Sequence, residues 1–82
     1  MTNANYRKKD RNQMSVSYNK LWKMLIDRKM SHIELQRAAE VAPNTMTKIR
    51  RDQPVNLAIL DRMCRVLGCD FGDIVEHVDN LE

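Results

Sequence analysis

The segment 31–52, SHIELQRAAEVAPNTMTKIRRD, decides the fold of this chain, because it carries the start signals of two consecutive helices. Ser31 and Glu34 have capping-box spacing, which predicts a helix over 32–39. The Val-Ala-Pro step that follows predicts a second helix over 43–51, since proline suits the first helical position. The sequence therefore predicts two short helices joined by a tight turn.

The second of these helices is polar and basic on one side. Met46 and Ile49 face inward at helical spacing, whereas Thr47, Lys48 and Arg51 can point outward. Two helices joined by a short turn, the second of them polar and basic, form the arrangement that reads a DNA groove. On an arbitrary small helix, the same cations are more often only solvated surface charges. The pattern as a whole favours DNA binding.

Two more helices flank this unit. The first is predicted over 18–29, with Ser17 as its N-cap. Another is predicted over 57–67, because Asn56 is a good N-cap and Gly68 is a natural C-terminal stop. Both present apolar residues at helical spacing, so both are expected to pack on the central pair.

A fifth helix is predicted over 71–78, started by Asp70 and Asp73. No segment alternates with period two over strand length, so we expect an all-α domain of five helices without a sheet. The expected core is Leu21, Met24, Leu25, Leu35, Val41, Met46, Ile49, Leu57, Leu60, Cys64, Leu67, Phe71, Ile74 and Val78, with Trp22 beside it.

Length and composition limit the architecture to one domain of 82 residues. We interpret 1–13 as a flexible basic arm, 14–79 as the helical domain and 80–82 as a C-terminal tail. The last two residues fit either native chain or a cloning remnant. With neither an apolar run of spanning length nor a secretory h-region, we expect a cytoplasmic protein without a membrane partner.

Charge is distributed unevenly along the chain. The net charge is +3, composed of +3 in 1–13, +5 in 14–69 and −5 in 70–82. A basic region followed along the sequence by an acidic tail is consistent with a polyanionic partner that binds the basic region. Many solvated surfaces have the same polarity, so charge alone decides little.

The residue types that carry catalysis or bind metals are sparse. Cys64, Cys69, His32 and His77 offer at most a weak zinc hypothesis, because their spacing matches none of the usual ligand patterns. We prefer two reduced cysteines acting as small hydrophobes. The carboxylates are scattered along the sequence and there is no Gly-rich loop, so no set of catalytic residues can be recognised. We therefore expect neither an enzyme nor a cofactor nor a small-molecule ligand.

The order of these elements resembles the Cro-like (XRE) phage-repressor helix-turn-helix family over about 17–78. In the two-helix unit, the residues that fit the family pattern without a gap are Ser31, His32, Leu35, Val41, Thr45, Met46, Ile49 and Arg51. Further along, the fitting residues are Leu57, Leu60, Cys64, Leu67, Gly68, Cys69, Asp70, Phe71 and Ile74. The resemblance implies a five-helix lambda-repressor-like DNA-binding domain.

Four positions of the two-helix unit depart from the family pattern. His32 replaces a glutamine, Gln36 an alanine, Glu40 the turn glycine and Ala42 a small polar residue. A non-glycine at Glu40 costs up to about 1 kcal/mol if its φ is positive. These departures bear on the phosphate contacts that the family makes at the starts of both helices.

The resemblance also implies which side chains meet DNA. With the helix over 43–51 in the major groove, Pro43, Asn44, Thr47 and Lys48 are expected to meet base edges. Asn44 is equally suited to a local hydrogen bond near the helix start. The residues expected to reach phosphates are His32, Arg37, Thr45, Arg50 and Arg51.

The same resemblance implies a sequence-specific transcriptional regulator that binds double-stranded DNA, and a repressor in preference to an activator. Ile59, Met63 and Val66 form a second apolar stripe on the helix over 57–67. Together with the fifth helix, this stripe could support a homodimer; equally, the neighbouring helices could cover it. The rival function is an antitoxin-like or accessory protein-interaction module with weak DNA binding.

Overall fold

A computed structural model describes residues 15–78, in which four α-helices surround one apolar core. No helix of this part of the chain is long and apolar enough to cross a membrane. In chain order the elements are β1 (Val16–Ser17), α1 (Asn19–Asp27), α2 (His32–Ala38), α3 (Pro43–Arg50), α4 (Leu57–Leu67), a 3₁₀ turn (Phe71–Asp73) and β2 (Glu76–His77).

The start of α2 confirms the predicted capping box. The backbone N–H of Glu34 donates to Ser31 Oγ at 3.0 Å, and the N–H of Ser31 donates to Glu34 Oε1 at 2.7 Å. Two amides that the helix cannot satisfy thereby gain partners, and losing such a cap typically costs about 1 kcal/mol. The cap fixes where the first helix of the central pair begins.

The turn from α2 to α3 is built around a glutamate in the left-handed region. Glu40 has φ 56°, where glycine is normally favoured. Arg62, from α4, donates from Nε to the Ala39 carbonyl at 3.0 Å and from Nη2 to the Glu40 carbonyl at 3.3 Å. Hydrogen bonds from a charged donor are worth about 1.5–3 kcal/mol when well formed, so this arginine offsets the backbone strain.

The limits of the central and fourth helices agree closely with the predictions. α2 and α3 each end one residue earlier than expected, and α4 has the predicted limits. Asn56 Oδ1 accepts from the Ala58 N–H at 2.9 Å, and Gly68 ends the helix with φ 64°. Local cap and stop residues set these ends.

The first helix is shorter than predicted at both ends. Tyr18, not Ser17, is its N-cap residue, because Ser17 lies in β1. Ser17 Oγ still accepts from the Asn19 N–H at 3.2 Å. At the other end Lys29 adopts φ 55°, which turns the chain toward α2.

The predicted fifth helix, and with it the expectation of no sheet, is wrong. Its start signal is real, because Asp70 and Asp73 form a capping box, but only one 3₁₀ turn follows. The chain then enters β2, which pairs antiparallel with β1, with Val16 opposite His77. Each strand has two residues, and the two strands lie at opposite ends of the described sequence, so local periodicity carried no signal.

The core lies between the four helices and the strand pair. Its buried apolar members are Tyr18, Leu21, Leu25, Leu35, Ala39, Val41, Met46, Ile49, Leu60, Met63, Cys64, Leu67 and Ile74. Two of the predicted core residues are wrong: Leu57 is 62% exposed and Phe71 36%. Leu57 is the first residue of α4, and Phe71 lies in the single 3₁₀ turn that stands in place of the predicted helix.

A pair of hydrogen bonds ties the start of α1 to the end of α3. The Tyr18 N–H donates to Asp52 Oδ1 at 3.1 Å, and Tyr18 Oη donates to the Gln53 carbonyl at 2.9 Å. We refer to these two bonds as the Tyr18–Asp52 tie. Asp52 itself has φ 56°, a conformation that aspartate tolerates better than most residues. The tie fixes the α3–α4 connection against the body.

Alkaline pH should weaken the fold through Tyr18. Burial, with a smaller effect from the Asp52 carboxylate, raises the pKa of the Tyr18 phenol above 10.0. The neutral phenol therefore contributes stability in full below pH 10, and this part is lost as pH rises through the folded-state pKa. Tyr18→Phe lacks both the Gln53 bond and this titration. Urea denaturation should show wild type about 1 kcal/mol more stable at pH 7, with the gap narrowing above pH 10; a constant gap would contradict the assignment.

Candidate nucleic-acid interface

The third helix is seated by two buried residues and exposes the rest. Met46 and Ile49 are at most 2% exposed and point into the core. The predicted base-contact residues Pro43, Asn44 and Lys48 are exposed on the same helix, and Thr47 is half-buried. The structure therefore places all four on α3, as its periodicity requires.

The exposed side of α3 is a cationic surface. Lys48, Arg50 and Arg51 lie in or directly after its last turn, and the helix contains no acidic residue. Between residues 15 and 78 the ion pairs join Lys20 to Glu76 at 3.7 Å and Arg65 to Asp61 at 3.1 Å. The three cations of α3 thus have no carboxylate partner in the described part of the chain, and an anion can approach them.

The polar groups at the start and in the middle of α3 differ in their burial and in whether they already have a hydrogen-bond partner within the protein. Thr47 Oγ1 donates to the Pro43 carbonyl at 3.2 Å, so its hydroxyl is already engaged within the helix. Thr45 is half-buried. Ala42, the N-cap residue, provides no side-chain cap, because its methyl group cannot accept a hydrogen bond. The first-turn amides of this eight-residue helix are therefore not covered by a capping side chain.

Two of the predicted phosphate contacts lie on α2. Arg37 is exposed in its last turn, and His32 is exposed in its first. The His32 ring lies against Trp22 of α1, with ring centroids 4.4 Å apart and planes inclined by 32°. The indole covers one side of the imidazole and limits the positions that this ring can take.

Several residues that shape this surface could not be found from local sequence. Arg62 holds the α2–α3 turn, Asp52 holds the end of α3, and Arg28 donates to the Leu67 carbonyl at the end of α4. The partner of each lies on another element, so neither spacing nor composition indicates it. Trp22 was predicted only as a core neighbour, and its contact with His32 was missed.

The described residues also bear on the weak zinc hypothesis. Between residues 15 and 78, no three His, Cys, Asp or Glu side chains come together in a way that could hold a metal ion. Cys64 is buried and Cys69 half-buried, and both are free thiols.

Two short helices around a strained turn, the second seated by apolar residues and cationic outside, define a helix-turn-helix domain. The family profile of the Cro/C1-type HTH DNA-binding domain matches residues 20–80. The chain belongs to this family. The predicted family resemblance is thereby confirmed.

One solved structure extends the comparison over nearly the whole chain. The crystal structure of the transcriptional regulator VanUg, Form II, is 41% identical in sequence. The match covers 98% of this chain and 100% of that chain, with a TM-score of 0.80. No curated protein matches this chain.

Proposed function

We propose that this protein is a sequence-specific regulator of transcription that binds double-stranded DNA through α3, and that it acts as a repressor. The observation that carries the proposal is the outer side of α3, where Lys48, Arg50 and Arg51 have no carboxylate partner among residues 15–78. Family membership and the description of VanUg as a transcriptional regulator support it. A small domain seated on a promoter would repress by excluding the polymerase.

Base recognition is assigned to the first two turns of α3. Asn44 would pair with adenine N6 and N7, and Lys48 would donate to guanine O6 or N7. Pro43 and the Thr47 methyl would pack on a thymine methyl, consistent with the engaged Thr47 hydroxyl. Each good contact of this kind discriminates by about 1–3 kcal/mol.

Phosphate contacts are assigned to both ends of the two-helix unit. Arg50 and Arg51, in and directly after the last turn of α3, would contact the DNA backbone, and Arg37 and His32 would contact it from α2. Thr45, in the first turn of α3, is a fifth candidate. These contacts would fix the position of α3 without reading sequence.

Gel-shift titrations with two variants separate these roles. Lys48→Ala should lose about 1–3 kcal/mol of preference at one base pair, while binding to unrelated DNA changes little. Arg51→Ala should weaken all sequences alike and reduce the slope of log K against log salt by about 1. Arg65→Ala is the matched control, because it removes the same charge from α4, where Arg65 pairs with Asp61.

Two outcomes would contradict this assignment. Equal losses for Lys48→Ala on all sequences would remove Lys48 from base recognition. Absence of binding even at low salt would overturn the DNA function itself. The latter result would favour the antitoxin-like or accessory protein-interaction role.

We also propose that two copies bind DNA half-sites spaced one helical turn, roughly 34–36 Å, apart. The predicted dimer stripe is not a free surface, because Met63 is buried and Ile59 and Val66 pack against the core. Exposed apolar residues elsewhere include Leu57 at the start of α4. Sedimentation of the protein with a two-half-site duplex should give two chains per duplex; one chain per duplex at saturation would contradict the dimer.

A further inference from the structure

The C-terminal end of α4 brings the two cysteines of the chain together. Gly68 turns the backbone with φ 64°, and the Cys69 N–H donates to the Cys64 carbonyl at 3.1 Å. With standard backbone dimensions, this bond holds the two Cα atoms within about 7 Å. Apolar side chains at these two positions of a helix C-cap frequently touch, and here both cysteines line the same groove.

The thiol pair opens into a groove that the proposed DNA contacts do not line. The groove has a volume of 270 Å³. Its walls are formed by Asp61, Cys64, Arg65, Gly68, Cys69, Asp70 and Phe71. Cys69 is half-buried and both cysteines are free, so a small molecule in the groove can reach sulfur.

Paired cysteines commonly react with a disulfide or peroxide, or bind a divalent metal. Both reactions are disfavoured here. Burial, with smaller effects from Cys69, Asp70 and Asp61, raises the pKa of the Cys64 thiol to about 11. At neutral pH this group stays protonated, which disfavours attack on a disulfide or peroxide and binding of a divalent metal as thiolate. A metal would also lack a third ligand within residues 15–78.

We propose that Cys64 and Cys69 form a dithiol site for trivalent arsenic compounds. In the reaction, two As–OH bonds break and two As–S bonds form. Each thiol proton leaves with a hydroxide as water, and arsenic remains trivalent. No thiolate needs to persist and no oxidant is required. Two thiols that line one groove, on Cα atoms within about 7 Å of each other, meet the geometric demand of one arsenic atom bound by both.

The groove suits an arsenical that carries an aromatic group. Phe71 is 36% exposed and lines the groove, so it offers an apolar surface beside the sulfurs. Holding one ligand by two sulfurs should strengthen binding by roughly 100-fold over one sulfur, because the second bond is intramolecular.

The test uses phenylarsine oxide with the full chain, kept reduced by a phosphine that contains no thiol. Native mass spectrometry should show one phenylarsenic group per chain, with two hydrogens lost. Because the chain has two cysteines, Cys69→Ser and Cys64→Ser each leave a single thiol. Both variants should bind roughly 100-fold more weakly. Cys69→Ser is the more informative variant, since Cys69 is less buried and its replacement should leave the fold intact by circular dichroism.

Three results would overturn the proposal. One is the absence of an adduct with the reduced wild-type chain. Another is an adduct of undiminished affinity in folded Cys69→Ser, which would show that one sulfur suffices. The third is loss of two hydrogens from wild type without arsenic gained, which would reveal a disulfide. None of these results depends on DNA binding.

Discussion

Leu35→Ala is expected to lower the free energy of unfolding by about 2–5 kcal/mol, the range for truncating a buried leucine. Leu35 is the buried residue of α2 and has no exposed surface. It packs in the core cluster that also contains Met46 and Ile49 of α3. Its removal leaves a cavity between the two helices of the DNA-binding unit. Since small domains are stable by only 5–15 kcal/mol, roughly, this one change could remove much of the margin.

Ile33→Ala is the matched control, because it truncates a residue of similar size on the same helix. Ile33 is 56% exposed, so its loss should cost less than about 1 kcal/mol. Urea denaturation followed by circular dichroism measures both variants. Equal losses of stability would mean that the exposures of Leu35 and Ile33 do not describe the folded protein in solution.

Asp52→Ala should be the second most damaging change, at about 2–4 kcal/mol of unfolding free energy. Two separate effects add. The Tyr18 N–H loses the acceptor that now lies 3.1 Å away, and an unpaired, partly buried donor is costly. In addition, alanine must adopt φ 56°, where a side chain without a local hydrogen bond is strained.

Two further substitutions at Asp52 separate these effects. Asp52→Asn keeps an acceptor oxygen and tolerates the left-handed region, so it should remain within about 1 kcal/mol of wild type. Asp52→Gly relieves the backbone strain but provides no acceptor, so it should fall between asparagine and alanine. Thermal and urea denaturation of the three variants should give this order. A glycine variant as stable as the asparagine variant would show that the bond from the Tyr18 N–H to the Asp52 carboxylate contributes nothing.

The parts of the fold predicted correctly are those specified by neighbours in sequence. α4 was predicted at both ends because Asn56 and Gly68 lie beside the ends that they set. The same holds for the capping box of Ser31 and Glu34. The C-terminal segment was mispredicted because β2 forms only by pairing with β1, which lies at the other end of the described sequence. A start signal at Asp70 indicates where a helix begins, and says nothing about how far it continues.

The candidate site divides in the same way. Helical periodicity separated Met46 and Ile49 from the outward residues of α3, and their burial confirms that separation. The roles assigned to the outward residues remain predictions. Trp22 and His32, which contact each other, lie on different helices. The hydrogen bond from Arg62 to the α2–α3 turn likewise joins separate elements. Such contacts arise only after the helices have packed, so one sequence without its fold does not reveal them.

The pairing of β1 with β2 makes the described chain almost a closed ring. The Val78 N–H donates to the Ser15 carbonyl at 3.0 Å, so the two ends of the described body lie side by side. A short linker could therefore join these ends without breaking a helix. For the same reason, a fluorophore attached at residue 15 and a quencher attached at residue 78 would start within a few ångströms of each other. Separation of the strands would then be visible as a rise in fluorescence.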